Sequence, residues 1–424
     1  MSKTIDATEM SQGAMVMEST EAPATQLRRG GSAYRRVNLA LAAAGFSTFA
    51  ILYCVQPLLP VFSRDFGLTP GAASLALSLT SATLAVALLG AGQISDVRGR
   101  KGMMAFCLFS VGLLTVLSAF AASWPQLLAI RALEGLLLSG VPAVAMAYLA
   151  EEIHPADLGG AMGLYIAGNA YGGMVGRVLT SFIVDHTESW RVALGVVGSL
   201  GVATALGFTL LLPPSRHFVP IDRPPLRGLH RPFLRHFGDP GLCWLFLTGF
   251  LLMGSFVTVY NYASYRLIAP PFSLAPGPAG TIFLVYLFGG PASATFGRLA
   301  SRVERSRMII IGLVSMFFGL SLTLTSALIV NIFGIGLITI GFFGAHAVAS
   351  GWVGRRAEIG RGQAAALYLF SYYMGSSLIG TLGGWFYAGA GWAGMCGLLG
   401  ALLMLALFVA IRLQRIERCE PLRG

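Results

Sequence analysis

The sequence predicts an all-α polytopic membrane protein with twelve transmembrane helices in two pseudo-symmetric six-helix bundles. Hydrophobic residues make up 55% of the 424 residues and charged residues only 11%, whereas a soluble domain carries about 25% charged residues. The chain also contains many apolar runs of roughly 20 residues, the length that crosses a bilayer. Several motifs of its first half recur in its second half at a nearly constant offset. A water-soluble enzyme is therefore excluded.

Twelve apolar runs are long enough to span a bilayer. The run over 308–350 is too long for one helix, so we expect a turn near Ser326–Asn331. No cleavable signal peptide is expected, because polar or mixed sequence precedes the first apolar run. The predicted spans are 38–62, 72–94, 103–122, 125–150, 161–184, 191–212, 241–267, 279–299, 308–328, 329–352, 364–388 and 392–413.

The distribution of positive charge predicts the sidedness of the chain. Nearly all of the 29 Lys and Arg residues lie in the two tails, the central loop and the loops after spans 2, 8 and 10. Arg64, Arg191 and Arg266 lie on the other side, and Arg131 and Arg177 fall inside spans. Cytoplasmic loops carry the excess of Lys and Arg. We therefore expect both termini in the cytoplasm, and no nucleic-acid partner.

The two halves of the sequence resemble each other. The segment Gly92–Arg100 after span 2 matches Gly297–Arg305 after span 8, and Tyr165 in span 5 matches Tyr368 in span 11. Two six-helix halves around a midplane site are a common transporter plan. The predicted organisation is a disordered tail over 1–36, a bundle over 37–212, a central loop over 213–240, a second bundle over 241–413 and a tail over 414–424.

The loop after span 2 carries a family signature. The signature loop of the major facilitator superfamily runs Gly-x-x-x-Asp-Arg/Lys-x-Gly-Arg/Lys-Arg/Lys, and Val97 occupies its first basic position here. The chain resembles this superfamily over 37–413, which implies the major facilitator fold and secondary transport by alternating access. The matching residues are Gly92, Asp96, Gly99, Arg100 and Lys101.

Spans 4 and 5 carry two further patterns of that superfamily. Arg131 and Gly135 match the span 4 pattern, and the glycines of span 5 match the start of an antiporter motif in which Arg177 replaces a proline. Within the superfamily, the segments 53–60 and 168–177 resemble the bacterial acriflavine-sensitivity branch, the YnfM-like proteins. This resemblance implies a bacterial inner-membrane protein and proton-coupled efflux of a small organic molecule.

Ionisable residues inside spans are functional candidates, because each costs about 2.5–3.5 kcal/mol at the bilayer centre. Glu134 is the acid inside a predicted span, and proton coupling needs a carboxylate whose environment changes between states. Glu134 is therefore the first proton-coupling candidate. The alternative is a static cluster of Arg131, Glu134 and Arg177 that locks spans 4 and 5 together. His346 in span 10 is the second coupling candidate, and its alternative role is packing.

Polar aromatic and amide side chains occupy corresponding positions in spans 1 and 7. The resemblance implies that spans 1, 4, 7 and 10 line the substrate cavity, where aromatic residues with polar tips suit an amphipathic molecule. The alternative is an interfacial aromatic belt, to which we assign Tyr265. The predicted cavity residues are Tyr53, Gln56, Arg131, Arg177, Tyr260 and Asn261.

The signature loop also predicts a cytoplasmic gate. Asp96 is expected to accept hydrogen bonds from the start of span 11, near Gly362, as the resemblance implies. Arg100 is expected to pair with an acid at the end of span 4. The alternative is that the basic residues only anchor the loop in the cytoplasm. The predicted gate residues are Gly92, Asp96, Gly99, Arg100, Lys101, Glu151 and Glu152.

Glycines recur along one face of span 5, a pattern typical of close helix packing. The resemblance places this span between the two halves, so the glycines are also a candidate surface on which the halves rock. The predicted packing residues are Gly163, Gly168, Gly172 and Gly176.

These observations predict a secondary transporter for a small amphipathic molecule, with protons as the coupling ion and the lipid bilayer as its surroundings. We expect a functional monomer without a cofactor. No metal site is expected, since the five cysteines lack the spacing of metal ligands. The first alternative is an uptake symporter or uniporter for a neutral or anionic metabolite. A membrane-embedded enzyme is a remote alternative, because paired intramembrane acids and a His-Glu-x-x-His motif are absent from the sequence.

Overall fold

The computed structural model describes residues 26–218 and 231–419. The first 25 residues of the predicted N-terminal tail, part of the central loop and the end of the C-terminal tail lie outside the described residues. The two predicted bundle boundaries therefore remain predictions. Within the described ranges the chain is almost entirely helical, and its β-structure is limited to one isolated bridge between Leu27 and Ile153.

Ten helices of the described chain are long and apolar enough to cross a membrane. The helix Pro155–Thr187 has 33 residues, but its glycines, Asn169 and Arg177 lower its mean hydropathy. The helix Arg361–Cys419 is interrupted at Ala390 and at Gly391, whose φ of 61° ends one span and begins the next. The twelve predicted spans are thus confirmed. Numbered α1 to α12, they are Ser32–Phe66, Pro70–Arg98, Arg100–Ser118, Trp124–Glu152, Pro155–Thr187, Trp190–Leu211, Pro240–Ile268, Pro276–Leu299, Arg305–Leu322, Leu328–Arg356 and the two parts of Arg361–Cys419 on either side of Gly391.

Two membrane helices contain backbone that is not α-helical. In α1 the α-helix ends at Tyr53, and the 3₁₀ segment Gln56–Leu58 precedes a new helix at Leu59. Pro57 causes this break, because proline cannot donate the backbone hydrogen bond of a helix interior. In α8 the segment Thr281–Phe288 is also a 3₁₀ helix. The α1 segment is buried, and the α8 segment buries Ile282, Phe283 and Val285 while its other face is exposed. Irregular backbone lines the sites of many transporters.

The turn between α9 and α10 lies earlier than the sequence predicts. Helix α9 ends at Leu322 and α10 begins at Leu328, so Asn331 is helical rather than part of the turn. The buried Asn331 side chain donates a 2.9 Å hydrogen bond to the carbonyl oxygen of Thr323. The polar side chain that marked a turn in the sequence therefore satisfies the carbonyl group at the end of α9.

The two halves of the molecule contact each other along three pairs of helices. Helix α2 packs along α11, α5 packs along α8, and the last part of α1 packs against α7. The backbones of α2 and α11 approach closely at Gly71 and Gly384, where a Cβ on Gly384 would clash with Gly71. Small residues at such crossings permit tight contact between membrane helices.

The described hydrogen bonds between the halves lie toward one end of the molecule. We call the end with the arginine-rich loops after α2, α8 and α10 the basic end, and the opposite end the distal end. Tyr265 donates to the carbonyl oxygen of Leu59 at 2.7 Å and accepts from Ser63 at 2.6 Å, both near the distal end. Tyr265 thus joins the two halves, and its assignment to an interfacial belt stays a prediction. At the basic end, a cavity of about 510 Å³ lies between the first turns of α1 and α5 and is lined by residues such as Asn38 and Asp157.

Candidate functional site

Helix α4 places Arg131 and Glu134 in the interior of the bundle, with both side chains 0% exposed. Arg131 forms a salt bridge with Glu134, and Thr115 of α3 donates a 2.8 Å hydrogen bond to the other carboxylate oxygen. Arg131 also donates to the carbonyl oxygens of Ala76 in α2 and Leu52 in α1, each at 3.1 Å. The pair therefore connects α4 to three neighbouring helices of the same half.

The structure does not bring Arg177 into this pair, so the three-member cluster is not formed. The Arg177 side chain instead points toward the break in α1, where its Nε donates to Gln56 Oε1. Its Nη1 donates to the carbonyl oxygen of Gly173 at 2.8 Å. Within the described ranges, no carboxylate lies within salt-bridge distance of Arg177. The sequence predicted that Arg177 lies near Glu134 because the two residues have similar depths in the membrane. The Arg177 side chain, however, leaves α5 on the side that faces Gln56, away from Glu134.

Three aromatic rings surround the guanidinium of Arg177. Its Cζ atom lies 4.1 Å from the ring centroid of Tyr53, 4.5 Å from that of Tyr286 and 5.4 Å from that of Phe283. Such distances are typical of cation–π contacts. Tyr286 and Phe283 belong to the 3₁₀ segment of α8, so this contact joins the two halves. The sequence analysis missed both residues, because they lie in a uniformly apolar stretch that carries no polar signal.

Gln56 connects Arg177 to Asn261 across the boundary between the halves. Because a guanidinium can only donate, Gln56 must present its oxygen to Arg177 and its nitrogen to Asn261. Gln56 Nε2 accordingly donates to Asn261 Oδ1 at 2.6 Å. This arrangement leaves Asn261 Nδ2 and Arg177 Nη2 buried without a hydrogen bond of normal geometry to any described residue. The oxygen nearest to the Arg177 guanidinium in the second half is the hydroxyl of Tyr286.

Tyr260 lies in an aromatic cluster rather than on an open cavity wall. Its hydroxyl bonds to Thr339 of α10 at 2.7 Å, and its ring is fully buried. The ring centroids of Phe283 and Tyr286 lie 5.7 Å and 4.8 Å from that of Tyr260. Tyr260 therefore positions the two α8 rings that contact Arg177.

His346 lies in α10 among aromatic residues and apart from Glu134. Its Nδ1 is 2.9 Å from the hydroxyl of Tyr368, and the ring centroids of Tyr372 and Phe342 lie 4.8 Å and 5.7 Å from its own. No salt bridge links His346 to a carboxylate in the part of the chain that the structure describes. The coupling and packing roles of His346 both remain compatible with these contacts.

At the basic end, Arg100 is bonded to two acids. It contacts Asp96 and donates to Glu151 Oε1 at 2.6 Å. Glu152 instead accepts from the backbone N–H groups of Arg216 and His217 at the start of the central loop. Asp96 contacts Arg100 rather than the start of α11, as far as the described residues show. The gate contact to α11 therefore stays a prediction for a state in which the basic end is closed.

The other residues of the signature loop have simple positions. Gly99 has a φ of 90° at the junction of α2 and α3, a conformation that strongly favours glycine. Lys101 is half-buried in the first turn of α3. A Cβ on Gly92 would meet no atom within 4 Å, so nothing in this structure requires glycine there.

The second half has its own acidic and basic cluster at the position that corresponds to this loop. Arg305, the counterpart of Arg100, forms a 3.7 Å salt bridge with Glu417 of α12. Hydrogen bonds from Arg418 and Gln414 lower the pKa of the neighbouring Glu304 carboxyl group to about 2. The internal repeat identified Arg305 as the counterpart of Arg100. The partners of this cluster, Glu417, Gln414 and Arg418, lie near the C-terminus, outside the repeated segments.

Three of the four predicted packing glycines face α1. A Cβ on Gly176 would lie 2.7 Å from the Cα atom of Ala50, and Cβ atoms on Gly168 and Gly172 would collide with backbone carbonyl groups of α1. Gly163 differs, because a Cβ there would meet no atom within 4 Å. The glycine face therefore packs within the first half, and the contact of α5 with the second half is made further along, where Ser181 lies against Gly280.

Comparison with known proteins adds a family relationship to this geometry. A family model described as the Major Facilitator Superfamily matches residues 41–269. YybF of Bacillus subtilis (strain 168), an uncharacterized MFS-type transporter, is 44% identical over 94% of this chain and 98% of its own length. The inner membrane transport protein YnfM of Escherichia coli (strain K12) is 45% identical over 94% of this chain and 95% of its own length. The fold is also similar to an inward-facing crystal structure of a bacterial homologue of the human lysosomal transporter Spinster. The TM-score is 0.71 at 15% sequence identity, and the match covers 92% of this chain and 96% of that one.

Proposed function

Because this chain belongs to the major facilitator superfamily and is a multi-pass membrane transporter, we propose that it exports a small amphipathic organic molecule across the bacterial inner membrane in exchange for protons. The observation that carries this proposal is the unequal contact between the halves. The described hydrogen bonds that join them, such as those of Tyr265 with Leu59 and Ser63, lie toward the distal end. Alternating access requires such a state and its inverse, with the halves rocking around a central site.

The sidedness of this state follows from the charge distribution. The basic end carries the arginine-rich loops, and such loops remain in the cytoplasm. We therefore assign the basic end to the cytoplasm and the distal end to the periplasm. With this assignment, the halves are bonded toward the periplasm, which supports a state that takes up its substrate from the cytoplasm, as an exporter does.

Glu134 is the proposed proton-binding group. Protonation would neutralise Glu134 and weaken its salt bridge with Arg131. Arg131 also bonds to Leu52, four residues before Gln56, whose amide bonds to Asn261 in the other half. A change at Glu134 can therefore reach the contact between the halves through the break in α1. This route is a proposal that requires a measurement of coupling.

The proton coupling can be tested without knowing the substrate. Spin labels on Thr187 and Ala275 report the distal end, and labels on Gly102 and Gly362 report the basic end, each in a background without native cysteines. The Glu134–Arg131 salt bridge accompanies halves that are bonded toward the distal end in this structure. Loss of this salt bridge on acidification from pH 8 to pH 5 should therefore shorten the Gly102–Gly362 distance and lengthen the Thr187–Ala275 distance. The measurement is pulsed electron–electron double resonance on protein in lipid nanodiscs.

Glu134→Gln should give the acidic distance distribution at both pH values, because glutamine resembles the protonated acid. His346→Gln is the matched control and should retain the pH response of the wild type. An undiminished pH response in Glu134→Gln would remove Glu134 as the coupling site. Loss of the response in His346→Gln alone would transfer that role to His346.

The direction of transport needs a separate experiment. Cells that overproduce the wild-type chain are compared with cells that overproduce Glu134→Gln at equal protein level. Export predicts at least one small organic compound that is depleted inside the wild-type cells and enriched in their medium. The opposite pattern would support uptake by a symporter or uniporter, the alternative that the sequence leaves open.

A further inference from the structure

We propose that the Arg177 site binds the carboxylate group of a flat organic anion, which assigns the substrate to the class of aromatic organic acids. This inference rests on the proposed transport function and names its substrate class. The site consists of Arg177, Gln56 and Asn261, together with the rings of Tyr53, Tyr286 and Phe283.

The first argument is the uncompensated charge of Arg177. The residue is 1% exposed, and its described polar neighbours are one amide oxygen, one backbone carbonyl oxygen and the hydroxyl of Tyr286, all of them uncharged. The equally buried Arg131 has the carboxylate of Glu134 beside it. Buried charges are normally paired because removal of a charge from water is costly. An anion that binds beside Arg177 would supply the missing charge.

The second argument is the chemical character of the unpartnered atoms. Arg177 Nη2 and Asn261 Nδ2 are both buried, and both can only donate hydrogen bonds. The polarity is fixed, because Arg177 determines the orientation of Gln56 and Gln56 determines that of Asn261. An ionised carboxylate only accepts hydrogen bonds, so it suits the donors of Arg177, whereas an ammonium group would add further donors.

The third argument is the shape of the surroundings. Tyr53 contributes a ring from the first half, and Tyr286 and Phe283 contribute rings from the second half. Flat apolar groups pack favourably against such rings in offset or edge-on arrangements. Tyr286 is half-buried rather than fully buried, so it marks the side on which a ligand approaches. A bound anion would contact both halves and would therefore respond to their rocking.

The competing explanation is that the cation–π contacts of Arg177 serve only to hold the halves together. Arg191 provides a matched control for this explanation. Its guanidinium lies 4.1 Å from the ring of Trp190, as Arg177 does from Tyr53, and it donates to the carbonyl oxygen of Ala121. Arg191 is exposed near the distal end and has no place in the proposed site.

The test uses purified full-length protein in detergent and two sets of probes that differ only in charge. One set is benzoate, benzamide and benzylamine, and the other is indole-3-acetate, indole-3-acetamide and tryptamine. We expect at least one carboxylate to raise the melting temperature in a concentration-dependent manner, because a ligand stabilises the state that it binds. The amide and the amine of the same set should give no shift at equal concentration.

Arg177→Gln should lower the affinity for the active carboxylate at least tenfold by isothermal titration calorimetry, and Arg191→Gln should leave it unchanged. Asn261→Asp places a negative charge beside the site and should also lower the affinity at least tenfold, which provides a second variant if Arg177→Gln does not fold. Three outcomes would overturn the proposal: neither carboxylate binds, an amide binds as tightly as its carboxylate, or either folded variant binds the carboxylate with wild-type affinity. If the carboxylates do not bind but the spin-label distances still respond to pH, proton-coupled transport remains supported and only this substrate class is excluded.

Discussion

Arg131 of α4 donates a 3.1 Å hydrogen bond to the carbonyl oxygen of Leu52, just before the break in α1. The same guanidinium forms the salt bridge with Glu134 and bonds to Ala76 in α2. A single buried side chain thus links the proposed proton site to the segment of α1 that carries Gln56. This relationship gives Arg131 a structural role that does not depend on substrate, and it separates Arg131 from Arg177, which faces the other half.

Replacement of Arg131 should therefore destabilise the protein strongly. Arg131→Gln leaves the Glu134 carboxylate buried without its cationic partner, and loss of one member of a buried pair costs about 3–5 kcal/mol. The double variant Arg131→Gln/Glu134→Gln should recover part of this loss, because no unpaired charge remains. The measurement is thermal unfolding in detergent, followed by tryptophan fluorescence. A double variant less stable than Arg131→Gln alone would contradict the proposed origin of the effect.

The packing of α5 against α1 provides a second prediction. Gly172→Ala should lower the stability by about 1–3 kcal/mol, because the added methyl group overlaps the backbone of Phe46 and α1 must move. Gly163→Ala is the matched control in the same helix. Its methyl group would meet no atom within 4 Å, and alanine favours the helix over glycine, so its melting temperature should not fall below that of the wild type. Equal stability of the two variants would show that the glycine face does not set the distance between α1 and α5.

The sequence was sufficient to predict the fold and the family. Twelve spans, the internal repeat and the signature loop all depend on composition and spacing, and the structure and the comparisons confirm the resulting fold class and superfamily. The boundary between α9 and α10 was placed too late, because Asn331 satisfies a backbone carbonyl group at the end of α9 instead of occupying the turn. Local sequence does not distinguish these two uses of a polar side chain.

The arrangement of the candidate site was less predictable. Gln56 and Asn261 were found as polar residues at corresponding positions of the repeat, and they do meet across the halves. The position of Arg177 beside Tyr286, rather than beside Glu134, depends on how α5 is rotated against α8. That rotation results from packing between distant segments, and a single sequence contains no direct record of it.

The sidedness of the membrane helices leads to a labelling prediction. A cysteine that replaces Thr187 at the distal end should react with a membrane-impermeant maleimide added to spheroplasts, whereas a cysteine that replaces Ser301 at the basic end should not. Both positions are exposed, so burial does not explain a difference. Both should react after detergent solubilisation, which controls for reactivity. Labelling of Ser301 but not Thr187 in intact spheroplasts would reverse the assignment of the two ends.

The last prediction concerns Asp96, whose partner in this structure is Arg100 rather than the start of α11. Asp96→Asn should leave the fold intact, because Arg100 retains its 2.6 Å salt bridge with Glu151. If Asp96 holds the start of α11 when the basic end closes, the substitution removes a charged hydrogen bond worth about 1.5–3 kcal/mol from that state alone. The ratio of open to closed basic ends should then rise roughly tenfold to a hundredfold.

The Gly102–Gly362 spin-label distance at pH 5 measures this ratio, and Arg98→Gln in the same loop is the control that alters only charge near the membrane surface. A wild-type distance distribution in Asp96→Asn would mean that the basic residues of this loop act as anchors and that the carboxylate has no part in closing the basic end.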